Sequence, residues 1–345
     1  MSGSDAITVL IAGTAGASLG TEIAKSLVLA GGYRILGCDI NPLAYGHFDG
    51  NFAETFLVDA SDYVAGVKAI ATRNDVQVVI PGAEKPARIL AAASATFADE
   101  GIVIAQNAPD VVDLASDKAR CFERLQDIGL PVPQTRRIET AGDVRGFPMP
   151  CIIKPSLDSG GSSFVFFCRS DSEAELYATY LLANHLQPIL QAYIPEEGGE
   201  FTIGVLSDQD GTIEGVIALQ RSFTSKLSVM TRGKDFLISS GYTQGRIDTF
   251  PEVCAAARRM AEALGSRGPL NVQGRITPDG QFLPFEINPR FSASTYLRSL
   301  AGFNEVDHFI RHLLARPVVR PLDIRPGWYL RTLAETVTTA EKSPA

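Results

Sequence analysis

Three polar side chains in one short stretch are of the types that bind a hard metal ion. They lie in two strand-forming runs, 271–276 and 281–287, and the Pro-Asp-Gly turn between these runs predicts a β-hairpin. Because paired strands lie about 4.8 Å apart, Gln273 on one strand can face Glu286 and Asn288 on the other. These side chains offer oxygen ligands and no sulfur, as Mg²⁺ requires when it is also bound to phosphate oxygens. A solvent-exposed hairpin with polar residues on its wet face is the alternative.

Arg290 follows two residues after Asn288, and its planar guanidinium could hold a phosphate oxygen through two hydrogen bonds. The string Glu286-Ile287-Asn288-Pro289-Arg290 resembles the ATP-grasp superfamily, most closely the branch with the carbamoyl-phosphate synthetase large subunit and ATP-dependent carboxylate–amine ligases. The resemblance covers roughly residues 116–314, and more loosely the region before them. It implies that Gln273, Glu286 and Asn288 bind metal and that Arg290 is catalytic. The implied cofactors are ATP and Mg²⁺, as two ions, with Mn²⁺ as an alternative metal.

A Ser/Gly-rich turn is predicted to close over the phosphates of the nucleotide. A short strand at 151–154 ends in Lys154, the turn occupies 157–163, and an apolar strand follows at 164–168. Glycine lets backbone N–H groups approach phosphate oxygens without a side-chain clash, and Lys154 supplies a positive charge. A flexible turn between two strands is the alternative. The turn residues predicted to contact phosphate are Ser159, Gly160, Gly161 and Ser162.

Two further motifs of the family flank this turn. Lys118 begins a helix predicted to run to about Ile128, and it matches a family lysine that can contact the phosphates; a plain helix-start lysine is the alternative. The run 189–194 matches the hinge whose backbone meets the adenine edge, and Glu200 matches the acid that contacts ribose. The sequence departs from the family where acids are common and this chain has Gln191 and Ala192. The nucleotide-binding residues implied here are Gln191, Tyr193, Ile194 and Glu200.

Other charged residues are assigned by their positions. Arg221 ends the apolar strand predicted at 213–220, as the matching cation does in relatives, so it is predicted to help neutralise the transferring γ-phosphoryl group. Three later cations are predicted to be solvated loop charges. His308 and His312 are spaced i, i+4, but without the Glu of HExxH they are predicted to be a polar helix face rather than a zinc site. The three loop cations are Lys226, Arg232 and Lys234.

The first 115 residues alternate strands with helices, one of them predicted near Lys85–Phe97, which predicts a doubly wound α/β domain with a buried parallel sheet. Gly13, Gly16 and Gly20 follow the first strand, and Asp39 ends the second. This arrangement invites an NAD-binding interpretation, but the spacing is GxxGxxxG, and tight packing between strand and helix is the alternative. Glu84 follows a later buried strand, where it is either a functional acid or a helix N-terminal acid that interacts with the helix dipole.

Composition excludes several classes of function. A net charge of −8 without a basic stripe argues against nucleic-acid binding. The five cysteines lie in apolar runs without a CxxC pair, which indicates reduced, mostly buried thiols in a cytosolic protein. No apolar segment reaches the roughly 18 residues needed to span a bilayer. The protein is therefore expected to be cytoplasmic, with no membrane partner.

Together these features predict a pre-ATP-grasp (Rossmann-like) α/β domain at 1–115 and an ATP-grasp α+β domain at 116–330, with a lid subdomain at about 135–191 and a polar tail at 331–345. The implied function is an ATP-dependent ligase that activates a small-molecule carboxylate as an acyl phosphate and joins it to an amine, releasing ADP and phosphate; a homodimer is expected. Two alternatives remain open: a non-catalytic nucleotide-binding subunit, and an NAD-binding oxidoreductase built on the first domain.

Overall fold

A computed structural model describes residues 6–16, 18–157 and 162–343. The N-terminal region forms a five-stranded parallel sheet of order β3-β2-β1-β4-β5. Its strands are the apolar runs of the sequence, and helices cover them as parallel sheets require. The predicted doubly wound α/β arrangement is confirmed. The strands are β1 (Ile7–Ala12), β2 (Tyr33–Asp39), β3 (Glu54–Leu57), β4 (Val78–Pro81) and β5 (Val103–Ile104), and the helices are α1 (Leu19–Ala30), α2 (Tyr63–Arg73), α3 (Glu84–Ala92), α4 (Ser94–Ala98) and α5 (Pro109–Ser116).

The glycine turn after β1 is a packing feature. Gly13 has a φ of +107°, and a Cβ atom at either Gly20 or Gly82 would lie 1.9 Å from the Gly13 carbonyl oxygen. Asp39 is buried, and its Oδ2 accepts a hydrogen bond of 2.6 Å from the backbone N–H of Thr14. The acid that an NAD site would need for a ribose hydroxyl is therefore already used to hold the turn. This geometry agrees with the packing interpretation.

The second sheet is antiparallel and has six strands in the order β16-β15-β10-β11-β14-β17. One hydrophobic core joins it to the first sheet, since Ile23 and Leu27 of α1 pack in the same cluster as Phe303, Val306 and Phe309. The elements are β10 (Glu200–Ser207), β11 (Ile213–Arg221), β14 (Gly245–Asp248), β15 (Pro269–Ile276), β16 (Phe282–Asn288), β17 (Gly327–Tyr329), α8 (Pro251–Ala263), α9 (Thr295–Leu300) and α10 (Glu305–Leu313).

A third, smaller sheet has four strands in the order β6-β9-β7-β8 and its own core, and we call it the lid sheet. A helix, α6, connects it to the first sheet, and Asp117 caps that helix by accepting from the backbone N–H groups of Ala119 and Arg120. A separate hairpin, β12–β13, faces the lid sheet. The elements are α6 (Lys118–Asp127), β6 (Thr135–Arg137), β7 (Cys151–Pro155), β8 (Phe166–Cys168), α7 (Asp171–Ala183), β9 (Pro188–Ala192), β12 (Val229–Arg232) and β13 (Leu237–Ser239).

Two elements differ from the expectation. The helix predicted from Lys85 to Phe97 is divided into α3 and α4 at Ala93, whose carbonyl accepts a hydrogen bond from the Thr96 hydroxyl at 2.8 Å. The β12–β13 hairpin occupies the segment predicted to be a solvated loop. Four cysteines are buried and Cys254 is half-buried. Within the described residues, no helix is both long and apolar enough to cross a membrane.

Candidate functional site

The β15–β16 hairpin presents polar side chains from both strands on one face. Gln273 lies opposite Glu286, as expected, and its Nε2 donates to Glu286 Oε2 at 3.2 Å. Asn288 lies opposite Asn271 rather than opposite Gln273. The two pairs share a face because side chains two residues apart on a strand point the same way. The hairpin therefore brings together the three predicted metal ligands.

The chemistry of this ligand set fits a cation that is shared with a ligand. Glu286 is the single carboxylate of the predicted set, and Asn288 is buried. No group of three His, Cys, Asp or Glu side chains within the described part of the chain could hold a metal alone. Mg²⁺ is commonly held by one or two carboxylates together with phosphate oxygens, so the hairpin fits Mg²⁺ that also binds a phosphorylated ligand.

Lys154 lies beside the hairpin, where β7 carries it. It is buried, and its Nζ donates to Gln191 Oε1 at 2.8 Å and to the Phe285 carbonyl at 2.7 Å. Burial, reinforced by the nearby charge of Lys118 and opposed by Glu286, lowers the pKa of Lys154 to about 7. The side chain thus has little charge compensation from the part of the chain that the structure describes, and an anionic ligand would supply it.

A cleft is enclosed by the lid sheet, β13 and the hairpin. Lys118, Lys154 and Glu286 line it together with the predicted hinge, which contributes Gln191, Tyr193 and Ile194. Apolar side chains complete the walls, as is usual for a site that takes a flat ring. The apolar lining includes Ile152, Val165, Leu237 and Ile238.

The predicted phosphate turn is described in part. Ser162 lines the cleft, and its hydroxyl donates to the Ser239 carbonyl at 2.8 Å, which ties the turn to β13. The other three predicted turn residues, Ser159, Gly160 and Gly161, lie outside the described residues. Their predicted contacts with phosphate stay predictions.

Arg221 and Glu200 form a buried ion pair instead of lining the cleft. Arg221 Nη1 lies 2.8 Å from Glu200 Oε1, and Arg221 Nη2 donates to the carbonyls of Ser240 and Tyr242 at 2.8 and 3.0 Å. The second oxygen of Glu200 accepts from Nε of Arg275 at 2.9 Å. The structure does not bring Arg221 to the position that neutralising a γ-phosphoryl group requires, because Glu200 holds its guanidinium. Burial also lowers the pKa of Arg221.

Arg275 also lines the cleft, although it was not among the predicted nucleotide-binding residues. A usable signal was present, because Arg275 follows Gln273 by two residues and must share its face of the strand.

Arg290 and Glu84 meet where the first sheet adjoins the hairpin. Arg290 Nη2 lies 3.9 Å from Glu84 Oε2, and Arg290 Nη1 donates to the Phe291 carbonyl at 3.0 Å. Both side chains line a second, narrower cleft with Lys118 and Asn288. Glu84 is the first residue of α3, which follows β4. It was predicted to be either a functional acid or a helix N-terminal acid, and it lies close to Arg290, the predicted catalytic arginine. His308 lies apart from these clefts, and its Nε2 is 3.3 Å from Oε2 of Glu214.

A parallel α/β domain, an antiparallel sheet and a lid sheet around a cleft with buried lysines and oxygen ligands define an ATP-grasp architecture. The chain belongs to the ATP-grasp family, because the family model described as an ATP-grasp domain matches residues 115–294. This confirms the predicted resemblance and the predicted fold class.

The curated relatives include the carbamoyl phosphate synthase large chains of Rubrobacter xylanophilus and Thermus thermophilus. The first is 26% identical over 244 residues, which cover 66% of this chain and 21% of the relative. The second is 24% identical over 298 residues, which cover 82% of this chain and 28% of the relative. The chain thus spans less than a third of the length of these relatives.

Solved structures with the same fold include enzymes of several activities. N5-carboxyaminoimidazole ribonucleotide synthetase in an ADP complex has a TM-score of 0.66 and 19% identity and covers 93% of this chain and 80% of its own. The biotin carboxylase domain of a Hydrogenobacter thermophilus carboxylase, in complex with MgADP, has a TM-score of 0.66 and 17% identity (92% and 72% covered). An L-amino acid ligase from Bacillus licheniformis has a TM-score of 0.66 and 14% identity (94% and 78% covered).

Proposed function

We propose that this chain is an ATP-dependent carboxylate–amine ligase. A carboxylate oxygen of the first substrate attacks the γ-phosphorus of ATP, the bond from that phosphorus to the β–γ bridging oxygen breaks, and ADP leaves. The amine nitrogen of the second substrate then attacks the acyl carbon, phosphate leaves, and the amine loses a proton. Phosphoryl transfer of this kind depends mainly on positioning and charge neutralisation. The observation that carries the proposal is the convergence of Lys118, Lys154 and Glu286 on one cleft.

The residues of the cleft have separate roles in this proposal. Lys118 and Lys154 hold the phosphates together with Ser162, and the hinge backbone at Tyr193 and Ile194 meets the base. Gln273, Glu286 and Asn288 would hold Mg²⁺, which when bound offsets charge on the transferring phosphoryl group. Arg290 orients the carboxylate beside Glu84. Arg221 has no place here, because Glu200 already holds it.

The domain division at residues 115 and 116, the lid at about 135–191 and the tail at 331–345 belong to the same proposal. The acid and the amine are small molecules whose identity the cleft does not specify. A cytoplasmic location and a homodimer stay predictions.

The test combines nucleotide binding with ADP release for Glu286→Gln and for a matched control, Glu123→Gln. Glu123 is exposed on α6, so its change should leave turnover unaltered. The Glu286 change keeps size but removes the carboxylate, so ADP release across a panel of acids and amines should fall by about 100-fold or more. Its unfolding free energy should change by only about 0.5 kcal/mol.

Three other results would separate the alternatives. Full activity of Glu286→Gln would remove the hairpin from the mechanism. Thermal stabilisation of the unaltered protein by Mg·ATP without ADP release for any substrate pair would favour the non-catalytic nucleotide-binding subunit. Stabilisation by NAD and not by ATP would favour the oxidoreductase.

A further inference from the structure

Arg275 forms part of the cleft wall between the hinge and the metal-binding face of the hairpin. Its Nη1 donates to the Ile194 carbonyl at 2.7 Å, which joins it to the hinge. Its guanidinium carbon lies 5.8 Å from the centroid of the Phe285 ring, and Phe285 precedes Glu286. If the base meets the hinge and the phosphates meet Lys154 and Glu286, the sugar of a nucleotide must pass in front of Arg275.

Glu200 lies behind Arg275 and cannot reach that position as the protein stands. Its side chain has no exposed surface, and each of its oxygens is held by an arginine, Oε1 by Arg221 and Oε2 by Arg275. With both oxygens bonded and no exposed surface, this acid is closed to a ligand in the cleft. The family resemblance implied that Glu200 accepts hydrogen bonds from the ribose hydroxyls, whereas the wall of this cleft presents a hydrogen-bond donor.

The guanidinium of Arg275 is rigidly held. It bonds to Glu200, to the Ile194 carbonyl and, through Nη2 at 2.7 Å, to the Leu237 carbonyl. These bonds account for three of the five N–H groups that an arginine carries. Its centre also lies 5.3 Å from the centroid of the Tyr193 ring. An arginine fixed on four sides is preorganised, and since Arg275 lines the cleft it can donate to a ligand bound there.

We propose that Arg275 is a specificity-determining residue of the nucleotide cleft, where it donates a hydrogen bond to a sugar hydroxyl and so selects ribonucleotides. The inference rests on the proposed function, because it requires the cleft to bind a nucleotide. A site built to bond a hydroxyl group discriminates against the ligand that lacks it.

The experiment measures the dissociation constants of ATP, 2′-deoxyATP and 3′-deoxyATP by calorimetry for the unaltered protein, Arg275→Met and Arg221→Met. Each variant removes one arginine from Glu200 and leaves the other to pair with it, so neither leaves the buried acid alone. Of these two arginines, Arg275 lines the cleft and Arg221 does not, which makes Arg221→Met the matched control. The readout is the ratio of the dissociation constant of each deoxynucleotide to that of ATP for the same protein, since this ratio cancels a general loss of nucleotide binding.

We expect at least one deoxynucleotide to bind the unaltered protein about tenfold more weakly than ATP, as loss of one hydrogen bond from a charged donor predicts. Arg275→Met should reduce this ratio to within about threefold, and Arg221→Met should preserve it. Equal affinities in the unaltered protein, a ratio preserved in Arg275→Met, or a ratio lost equally in both variants would each overturn the inference.

Two further outcomes are covered by the same design. If Arg275→Met does not fold, Arg275→Lys replaces it: a single ammonium group cannot reach Glu200 and the sugar together, so the ratio must still fall, and a preserved ratio overturns the inference. If no form of ATP binds the unaltered protein, the proposed function fails and this inference fails with it. Binding without sugar discrimination overturns the role of Arg275 alone.

Discussion

At the scale of single residues, Lys154 is buried beside a neutral hinge residue, Gln191. The family commonly places an acid at this point of the hinge, and here an amide oxygen accepts the hydrogen bond from Lys154 Nζ instead. The lysine therefore has no ion-pair partner among the described residues, and burial is the main cause of its pKa of about 7. Nucleotide phosphates would stabilise the protonated form, so binding should take up a proton when the pH is above 7.

The pH dependence has a definite sign. The pKa of Lys154 in the folded protein is lowered from the usual 10.5 to about 7, so raising the pH through 7 removes the charge that attracts phosphate. ATP affinity should therefore fall as the pH rises above 7, by at most about tenfold per pH unit. The stability of the ligand-free protein changes in the opposite sense: between about pH 7 and 10.5 the unfolded chain binds more protons than the folded protein, so the destabilisation caused by burying this group diminishes as the pH rises.

Gln191→Glu tests this account. A carboxylate in place of the amide would raise the pKa of Lys154, so ATP affinity should become nearly independent of pH between 7 and 8. Calorimetry in two buffers of different ionisation enthalpy measures the proton uptake directly. Equal uptake by the variant and the unaltered protein would show that Lys154 is not the titrating group.

At the scale of elements, the lid sheet and the β12–β13 hairpin meet through a few side chains. The rings of Phe167 and Phe236 are stacked with centroids 4.2 Å apart, and Arg169 Nη2 lies 2.6 Å from Asp235 Oδ1. The backbone N–H of Leu237 also donates to the Tyr193 hydroxyl at 2.9 Å. Since β13 lines the cleft, these contacts position one wall of the nucleotide site.

We expect Phe236→Ala to weaken ATP binding by about threefold to tenfold, since a stacked aromatic pair contributes about 0.5–1.5 kcal/mol. Asp235→Asn is the matched comparison: its ion pair is exposed on both sides, and such pairs contribute about 0.2–1 kcal/mol. Dissociation constants for ATP measure both effects. Equal affinities for the two variants would mean that the stacked rings do not position β13.

The same elements show what could be predicted from the sequence. The β15–β16 hairpin could be found because alternating residues, a Pro-Asp-Gly turn and a specific string agree. The β12–β13 hairpin could not, because its strands are three and four residues long and depend on packing against Phe167 and Tyr193, which are distant in sequence. The burial of Glu200 was also missed, because it depends on Arg275 from the neighbouring strand.

At the scale of the whole molecule, the region after β17 contacts α1, the first helix of the chain. After β17, Arg331 Nη2 lies 2.6 Å from Glu22 Oε2 of α1, with side chains only 8% and 3% exposed, and it also donates to the Ala293 carbonyl. The Tyr242 hydroxyl donates to the Arg331 carbonyl. The segment predicted to be a polar tail thus begins with a residue whose side chain is largely buried and connects the first and second sheets. Sequence alone could not show this, since a single arginine in a polar segment carries no pattern.

Arg331→Met should lower the free energy of unfolding by about 2–4 kcal/mol, because breaking a buried ion pair leaves an acid without one of its partners. The loss of unfolding free energy should stay below the upper end of this range, since Lys25 Nζ remains 2.9 Å from Glu22 Oε1 and still pairs with the acid. Arg320→Met is the control: Arg320 is exposed in the segment that precedes β17, and its change should stay within about 0.5 kcal/mol. The double variant Glu22→Gln, Arg331→Met should lose less free energy of unfolding than the sum of the losses of the two single variants, because both substitutions remove the same ion pair. Urea unfolding of the four variants and the unaltered protein measures these differences, and equal stability of Arg331→Met and Arg320→Met would show that the C-terminal segment does not hold the two sheets together.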